Sequence, residues 1–282
     1  MVDTHDATTR LAASAQRIEV VHDGCRIVWR MWGEGPPLVL LHGSSGSWTH
    51  WIRNIEALAN DRRLLVPDLP GNGESELPEI CNHATFQNLL VTGIRELAGS
   101  NLPVDIVGFS LGGVVGAHIA AGNPDLVRRL VLVDSGGLGP PIATMNHSAA
   151  RQPHDTDRRA ASRNRVLDFM LHSPDSVDDF TLEVLRENTK QCRIDLETQT
   201  RFIIPDCLAA ILPKVSCQVD AIWGEHDRLL PDPAAQLAAL RGFKPDAEMR
   251  VMPHASHWVM YEAAAAFNAA LRDMLDTELR VG

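Results

Sequence analysis

Apolar residues occur along this chain in short unbroken blocks, separated by longer stretches in which they return every third or fourth position. Pro37-Leu38-Val39-Leu40-Leu41 is one such block, of the kind found in a strand buried on both faces, and residues 64–66, 104–107, 130–134 and 219–223 read the same way. Between the blocks, Trp48, Trp51, Ile52, Ile55, Leu58 and Ala59 carry helical spacing and predict a helix over 48–59. Further helices are expected over 86–97, 233–240 and 259–279, together with one that begins after residue 113 and stops near Gly122-Asn123-Pro124. Residues 17–21 and 26–32 are β-rich runs around Asp23-Gly24, a hairpin signal that predicts an antiparallel edge, and 247–252 is a last short strand. Strands alternating with helices at this spacing imply an α/β fold with a mostly parallel, doubly wound sheet.

The alternation breaks between 136 and 213, where Pro140-Pro141, a polar mixed-charge stretch and amphipathic pieces at 166–171 and 180–193 replace the buried-strand pattern. This predicts a helical cap inserted at 138–213 into a core made of 1–137 and 214–282, with a mobile section at 144–163.

Composition narrows the partners. With 26 Lys and Arg against 36 Asp and Glu, the net charge is −10, and no long basic run is present to track a phosphate backbone. Nucleic acid is not expected, a small-molecule substrate is, and self-association is left open. Cys25, Cys81, Cys192, Cys207 and Cys217 are odd in number and form no C-x-x-C pair, which reads as reduced thiols without a zinc site. The polar first 16 residues, expected to be frayed, lack a signal core, and no stretch approaches a membrane span, so a soluble cytoplasmic protein is expected.

The candidate chemistry begins at Gly108-Phe109-Ser110-Leu111-Gly112-Gly113, between a predicted strand and a predicted helix. It has the G-x-S-x-G form of a nucleophile elbow, where a serine occupies a strained turn and small neighbours let strand and helix approach. His42-Gly43-Ser44-Ser45-Gly46-Ser47 ends an earlier strand, and Gly43 permits a tight turn that would aim the Ser44 N–H at the nucleophile. His42 reads as a structural hydrogen-bonding residue. Later strands end in Gly224-Glu225-His226-Asp227 and Pro253-His254-Ala255-Ser256-His257-Trp258. Serine, acid and histidine therefore follow in the chain order Ser110, Asp227, His257. Asp134, also at a strand end, and His254 are the rival acid and base, and Glu225 and His226 read as loop supports. The remaining histidines have no metal-site spacing, so no metal is expected.

These motifs resemble the α/β-hydrolase superfamily over nearly the whole chain from residue 17 onward. The resemblance implies a Ser110–His257–Asp227 triad, an oxyanion hole of the Ser44 and Leu111 N–H groups, and no cofactor. Dehalogenases and epoxide hydrolases of this fold carry an aspartate where Ser110 stands. For the substrate, a small, rather apolar ester or lactone is expected, with Gly43, Trp48, Phe109 and Trp258 around the pocket. The alternative is a carbon-carbon hydrolase, because His257-Trp258, Glu262 and Phe267-Asn268 resemble the end of the meta-cleavage product hydrolases. Arg193 falls roughly where those enzymes bind a carboxylate. The chain departs from them at Phe109, where they usually carry asparagine, and in the loop after His42, which lacks their glycine-proline pattern. A ligand-binding receptor of the same fold is the non-enzymatic alternative.

Overall fold

The structure, a computed structural model, describes residues 4–143, 158–204 and 206–277. Among them, eight strands form one sheet in the order β1-β2-β4-β3-β5-β6-β7-β8. These are β1 (Gln16–His22), β2 (Cys25–Trp32), β3 (Pro37–Leu41), β4 (Arg63–Pro67), β5 (Val104–Phe109), β6 (Val127–Val133), β7 (Gln218–Gly224) and β8 (Met249–Met252). The β1–β2 and β2–β4 pairs are antiparallel and the rest parallel. The hairpin closes on Asp23 and Gly24, both at positive φ (48° and 73°), the backbone that a two-residue turn matched to strand twist requires.

Every residue of β3 and β5 is buried, and successive residues feed opposite cores, as the two-residue period of a strand dictates. Val39, Leu41, Ile106 and Leu132 join one core with α3 (His83–Ala98) and α4 (Leu111–Gly122). Leu38, Leu40, Val107 and Val133 join the other with α10 (Val259–Glu262) and α11 (Ala264–Asp276). Helix α9 (Pro233–Phe243) starts where expected, with Pro233 in its first turn and Asp232 accepting the Ala235 N–H at 3.1 Å.

Three expectations change. The helix expected over 48–59 is a 3₁₀ turn, Trp48–Trp51, followed by the short α2 (Ile55–Leu58). The buried Asn54 between them spends its amide on Met260 O at 2.9 Å and Asn268 Oδ1 at 2.8 Å. The start of the chain is not frayed throughout: α1 (Thr4–Ala13) buries Leu11, and Trp32 Nε1 donates to Leu11 O at 3.1 Å. The last helix breaks at Ala263, between α10 and α11.

Between β6 and β7 come α5 (Arg158–Phe169), α6 (Asp179–Gln191), α7 (Leu196–Phe202) and α8 (Cys207–Ile211). Of the section expected to be mobile, 144–157 lies outside the described residues, and α5 includes the rest. This helical insertion is hydrogen-bonded to the loops that follow β3, β4 and β8, and its Arg193 N–H donates to Gly71 O at 2.8 Å. Ser47 Oγ and Thr49 Oγ1 donate to the buried Asn188 at 2.7 and 2.9 Å, Ser45 Oγ donates to Gln199 at 3.0 Å, and the Trp258 N–H donates to Met170 O at 2.8 Å. Among the described residues, no helix is long and apolar enough to cross a membrane.

Candidate active site

Ser110 sits at the β5–α4 turn with φ 50° and ψ −116°, a backbone conformation costly for any residue with a side chain. The surroundings enforce it. Ser110 N–H donates to Val133 O at 2.8 Å, and Gly113 N–H donates to Ser110 O at 3.0 Å. A Cβ on Gly108 would stand 2.3 Å from Gly112 O, and one on Gly112 would stand 2.3 Å from Leu41 O, so strand and helix can approach only through glycine. Phe109 and Leu111 are buried on either side, and Ser110 keeps accessible surface.

Asp227, in the loop after β7, accepts the Leu229 and Leu230 N–H groups on Oδ1 at 2.8 and 3.0 Å. Its Oδ2 lies 2.8 Å from His257 Nδ1. A carboxylate there keeps the proton on Nδ1 and leaves Nε2 as an acceptor. Burial pushes the Asp227 carboxyl up, but the His257 charge and hydrogen bond, with the two N–H groups, outweigh it and hold the group below its ordinary range. Among the described residues no hydrogen bond joins Ser110 Oγ to His257. Phe109, next to Ser110 in sequence, lies with its ring centroid 5.1 Å from that of His257.

The rival acid, Asp134, is completely buried at the end of β6 and does not meet His257. Its Oδ1 accepts the Gly224 N–H at 2.9 Å, and its other neighbours are Asp227 and the Val259 backbone. Burial, then the Asp227 charge, raise Asp134 well above the carboxylate range, against the opposing pull of the Gly224 and Val259 backbone hydrogen bonds. Of the two rival bases, His257 is the one that meets the acid.

Next to the elbow, a Cβ on Gly43 would lie 3.3 Å from Ser110 Cβ. Both polar groups of the Gly43 backbone are already engaged. His42 Nε2 accepts the Leu69 N–H at 2.8 Å, so its Nδ1 donates to Gly43 O at 2.7 Å. Gly43 N–H donates to His50 Nδ1 at 3.3 Å. Burial, then the neighbouring His42 and His257, push His50 well below the usual histidine range, so His50 is a neutral acceptor. Sequence reasoning missed His50, because nothing in Trp48-Thr49-His50-Trp51 says that a 3₁₀ turn will aim its ring at the strand end. Among the described residues no group accepts from the N–H of Ser44 or of Leu111, and Leu111 opens α4, where the helix dipole favours negative charge.

Three residues expected to contact substrate are engaged elsewhere. Trp48 is buried against Trp32, ring centroids 5.6 Å apart, with the Arg30 guanidinium 5.2 Å from its ring. Trp258 has no exposed surface; it stacks on Tyr261 at 3.9 Å and donates to His50 O at 3.0 Å. Arg193 donates from both terminal nitrogens to Gly73 O at 3.1 Å, and also to the Asn72 and Ser75 carbonyls. It thus clamps the loop after β4, and its donors face backbone. Phe109 is also buried, packed between His50 and His257.

Residues 38–270 match the Alpha/beta hydrolase family. The 2-hydroxy-6-oxononadienedioate/2-hydroxy-6-oxononatrienedioate hydrolase of Cupriavidus pinatubonensis is 27% identical over 280 residues, covering 93% of this chain and 96% of its own. Naproxen esterase (carboxylesterase NP) of Bacillus subtilis superposes with a TM-score of 0.79 at 17% identity over 97% of both chains. The meta-cleavage product hydrolase of Pseudomonas fluorescens does so at 0.75 and 21%, covering 92% of this chain and 97% of its own. At such identities the structural likeness speaks to the fold alone.

Proposed function

This chain belongs to the alpha/beta hydrolase family, and from that premise we propose that it is a serine hydrolase acting on a small, largely apolar ester or lactone. The observation that carries the proposal is the strained, partly exposed Ser110, adjoining in sequence the Phe109 whose ring centroid lies 5.1 Å from that of His257, together with the hydrogen bond from His257 Nδ1 to Asp227. His257 Nε2 takes the Ser110 proton as Oγ attacks the carbonyl carbon, and the Asp227 carboxylate stabilises the imidazolium that forms. Charge gathers on the carbonyl oxygen, which accepts from the Ser44 and Leu111 N–H groups. The leaving alcohol takes the proton from His257. Water then attacks the acyl-enzyme with the same imidazole as base, releasing the acid and free Ser110. The Ser110–His257 hydrogen bond closes in the substrate complex, as often happens when an empty site fills.

The engagement of Arg193 with backbone carbonyls supports an ester over a dienoate, because the cation that would pair with the dienoate carboxylate is already committed. The second reading, carbon-carbon cleavage of a 2-hydroxy-6-oxo-dienoate, draws its support from the Cupriavidus relative, similar over 93% of this chain. Parallel steady-state assays of a p-nitrophenyl butyrate series and of a 2-hydroxy-6-oxo-dienoate decide between them. Ester turnover that exceeds dienoate turnover in kcat/KM by tenfold or more supports the first reading, and the reverse ratio replaces it with the second.

A further inference from the structure

On the loops that also carry Asp227 and His257, Glu225, His226 and His254 bring one ligand atom each to within 4.8 Å of the other two. We propose that these three side chains bind one divalent cation of borderline softness, with Zn²⁺ the best match. One carboxylate and two imidazoles are a donor set that zinc takes with a fourth position left to water. Ligands about 2.0–2.1 Å from a tetrahedral ion lie about 3.3 Å from one another. Glu225 Oε2 and His226 Nε2 are already 3.4 Å apart.

The site is partly pre-organised. His226 N–H donates to Ala255 O at 2.8 Å and Ser256 Oγ donates to His226 O at 3.0 Å, so the two loops supplying ligands are already joined. His254 adopts a left-handed backbone, φ 57°, with its N–H held by Glu225 Oε2 at 3.2 Å. The His226 ring is oriented by stacking on His172 of the helical insertion, centroids 4.0 Å apart and planes at 20°. The Glu225 and His254 side chains are exposed and reach the ion by ordinary rotamer changes. A net charge of −10 raises the local concentration of cations. The ligands come from two loops far apart in sequence, which is why no spacing motif announces them.

The test uses tag-free, chelator-stripped full chain at pH 7.5. It is titrated calorimetrically with ZnCl₂, and with CoCl₂ while the visible absorption is followed. The expected result is one ion per chain, tetrahedral cobalt bands, and a melting temperature raised by saturating Zn²⁺. Affinity should fall at least tenfold in His226→Ala and in His254→Ala, and the zinc-induced shift in melting should vanish in both. Glu225→Gln, which keeps an oxygen for the His254 N–H, should weaken binding while leaving the far-ultraviolet circular dichroism unchanged. The proposal is overturned if the His226→Ala/His254→Ala double variant binds as wild type does. Binding weaker than millimolar, or a cobalt–thiolate charge-transfer band placing the ion on cysteine, overturns it equally.

Discussion

Glu262 accepts the N–H of Ser256 at 2.8 Å, one residue before His257 in sequence. The same carboxylate accepts the N–H groups of His172 and Ser173 in the helical insertion, at 2.7–2.9 Å. One side chain therefore ties the histidine loop to the insertion. Glu262→Ala strands three backbone donors and should cost about 2–4 kcal/mol. With the His257 loop released, kcat for p-nitrophenyl butyrate should also fall about tenfold. Urea unfolding and steady-state kinetics on one preparation check both effects; an unchanged kcat would confine Glu262 to stability.

Ser110→Ala should lower ester turnover by at least about 10³-fold while leaving the melting temperature within about 2 °C. Ser110→Gly should be equally inactive but more stable by about 1 kcal/mol, because glycine relieves the backbone at φ 50°. Retained turnover in either variant would remove Ser110 as nucleophile. A single burst without steady turnover in the wild type would favour the receptor reading.

Asp227→Asn and Asp134→Asn separate the two buried acids. The first presents His257 with an amide and the wrong tautomer, for an expected loss of about 10³–10⁴ in kcat. The second changes a group that bonds Gly224 rather than His257, so kcat should stay within about threefold. Because the folded state raises the Asp134 pKa, it binds more protons than the unfolded chain above the ordinary carboxylate range. That contribution costs stability progressively as pH rises. Asp134→Asn should therefore be more stable than wild type at pH 8 and lose this advantage toward pH 4, as urea midpoints across the range would reveal.

Arg193→Ala should cost about 1–3 kcal/mol through the loss of charged hydrogen bonds to the carbonyls of 72–75. If Arg193 is a loop clamp, KM for an uncharged ester and for a carboxylate-bearing substrate should change in parallel. A rise confined to the carboxylate substrate would restore it as a ligand.

His83 stacks on His118, centroids 4.0 Å apart, with Phe202 of α7 edge-on at 4.7 Å. Burial, then the His118 charge, push its pKa down to about 4. Between pH 6.5 and about 4 the unfolded chain binds the proton and the folded one does not, so stability falls as pH drops through that window and levels below it. Its share should be about 1–2 kcal/mol after allowance for partial exposure. His83→Gln should flatten the slope of stability against pH by that amount, measured by urea unfolding at pH 4.5 and 7.

Most strands and the elbow were legible because their signals are local. A fully buried strand must be continuously apolar, as Pro37–Leu41 is, and a turn at φ 50° beside a close-packed helix must be flanked by glycines, as Ser110 is. Chain order, with the positions of Asp227 and His257 just past the ends of late strands, proposed those two residues. Tertiary structure decided what depends on meetings between distant segments. It paired His257 with Asp227 rather than Asp134, turned His50 onto Gly43, and broke the 48–59 helix so that Asn54 could reach Met260 and Asn268. It also spent Trp48, Trp258 and Arg193 on packing and loop carbonyls and brought Glu225 and His226 to His254. Periodicity reports whether a side chain faces inward; which partner it finds there depends on the register and crossing of elements that one stretch of sequence does not contain.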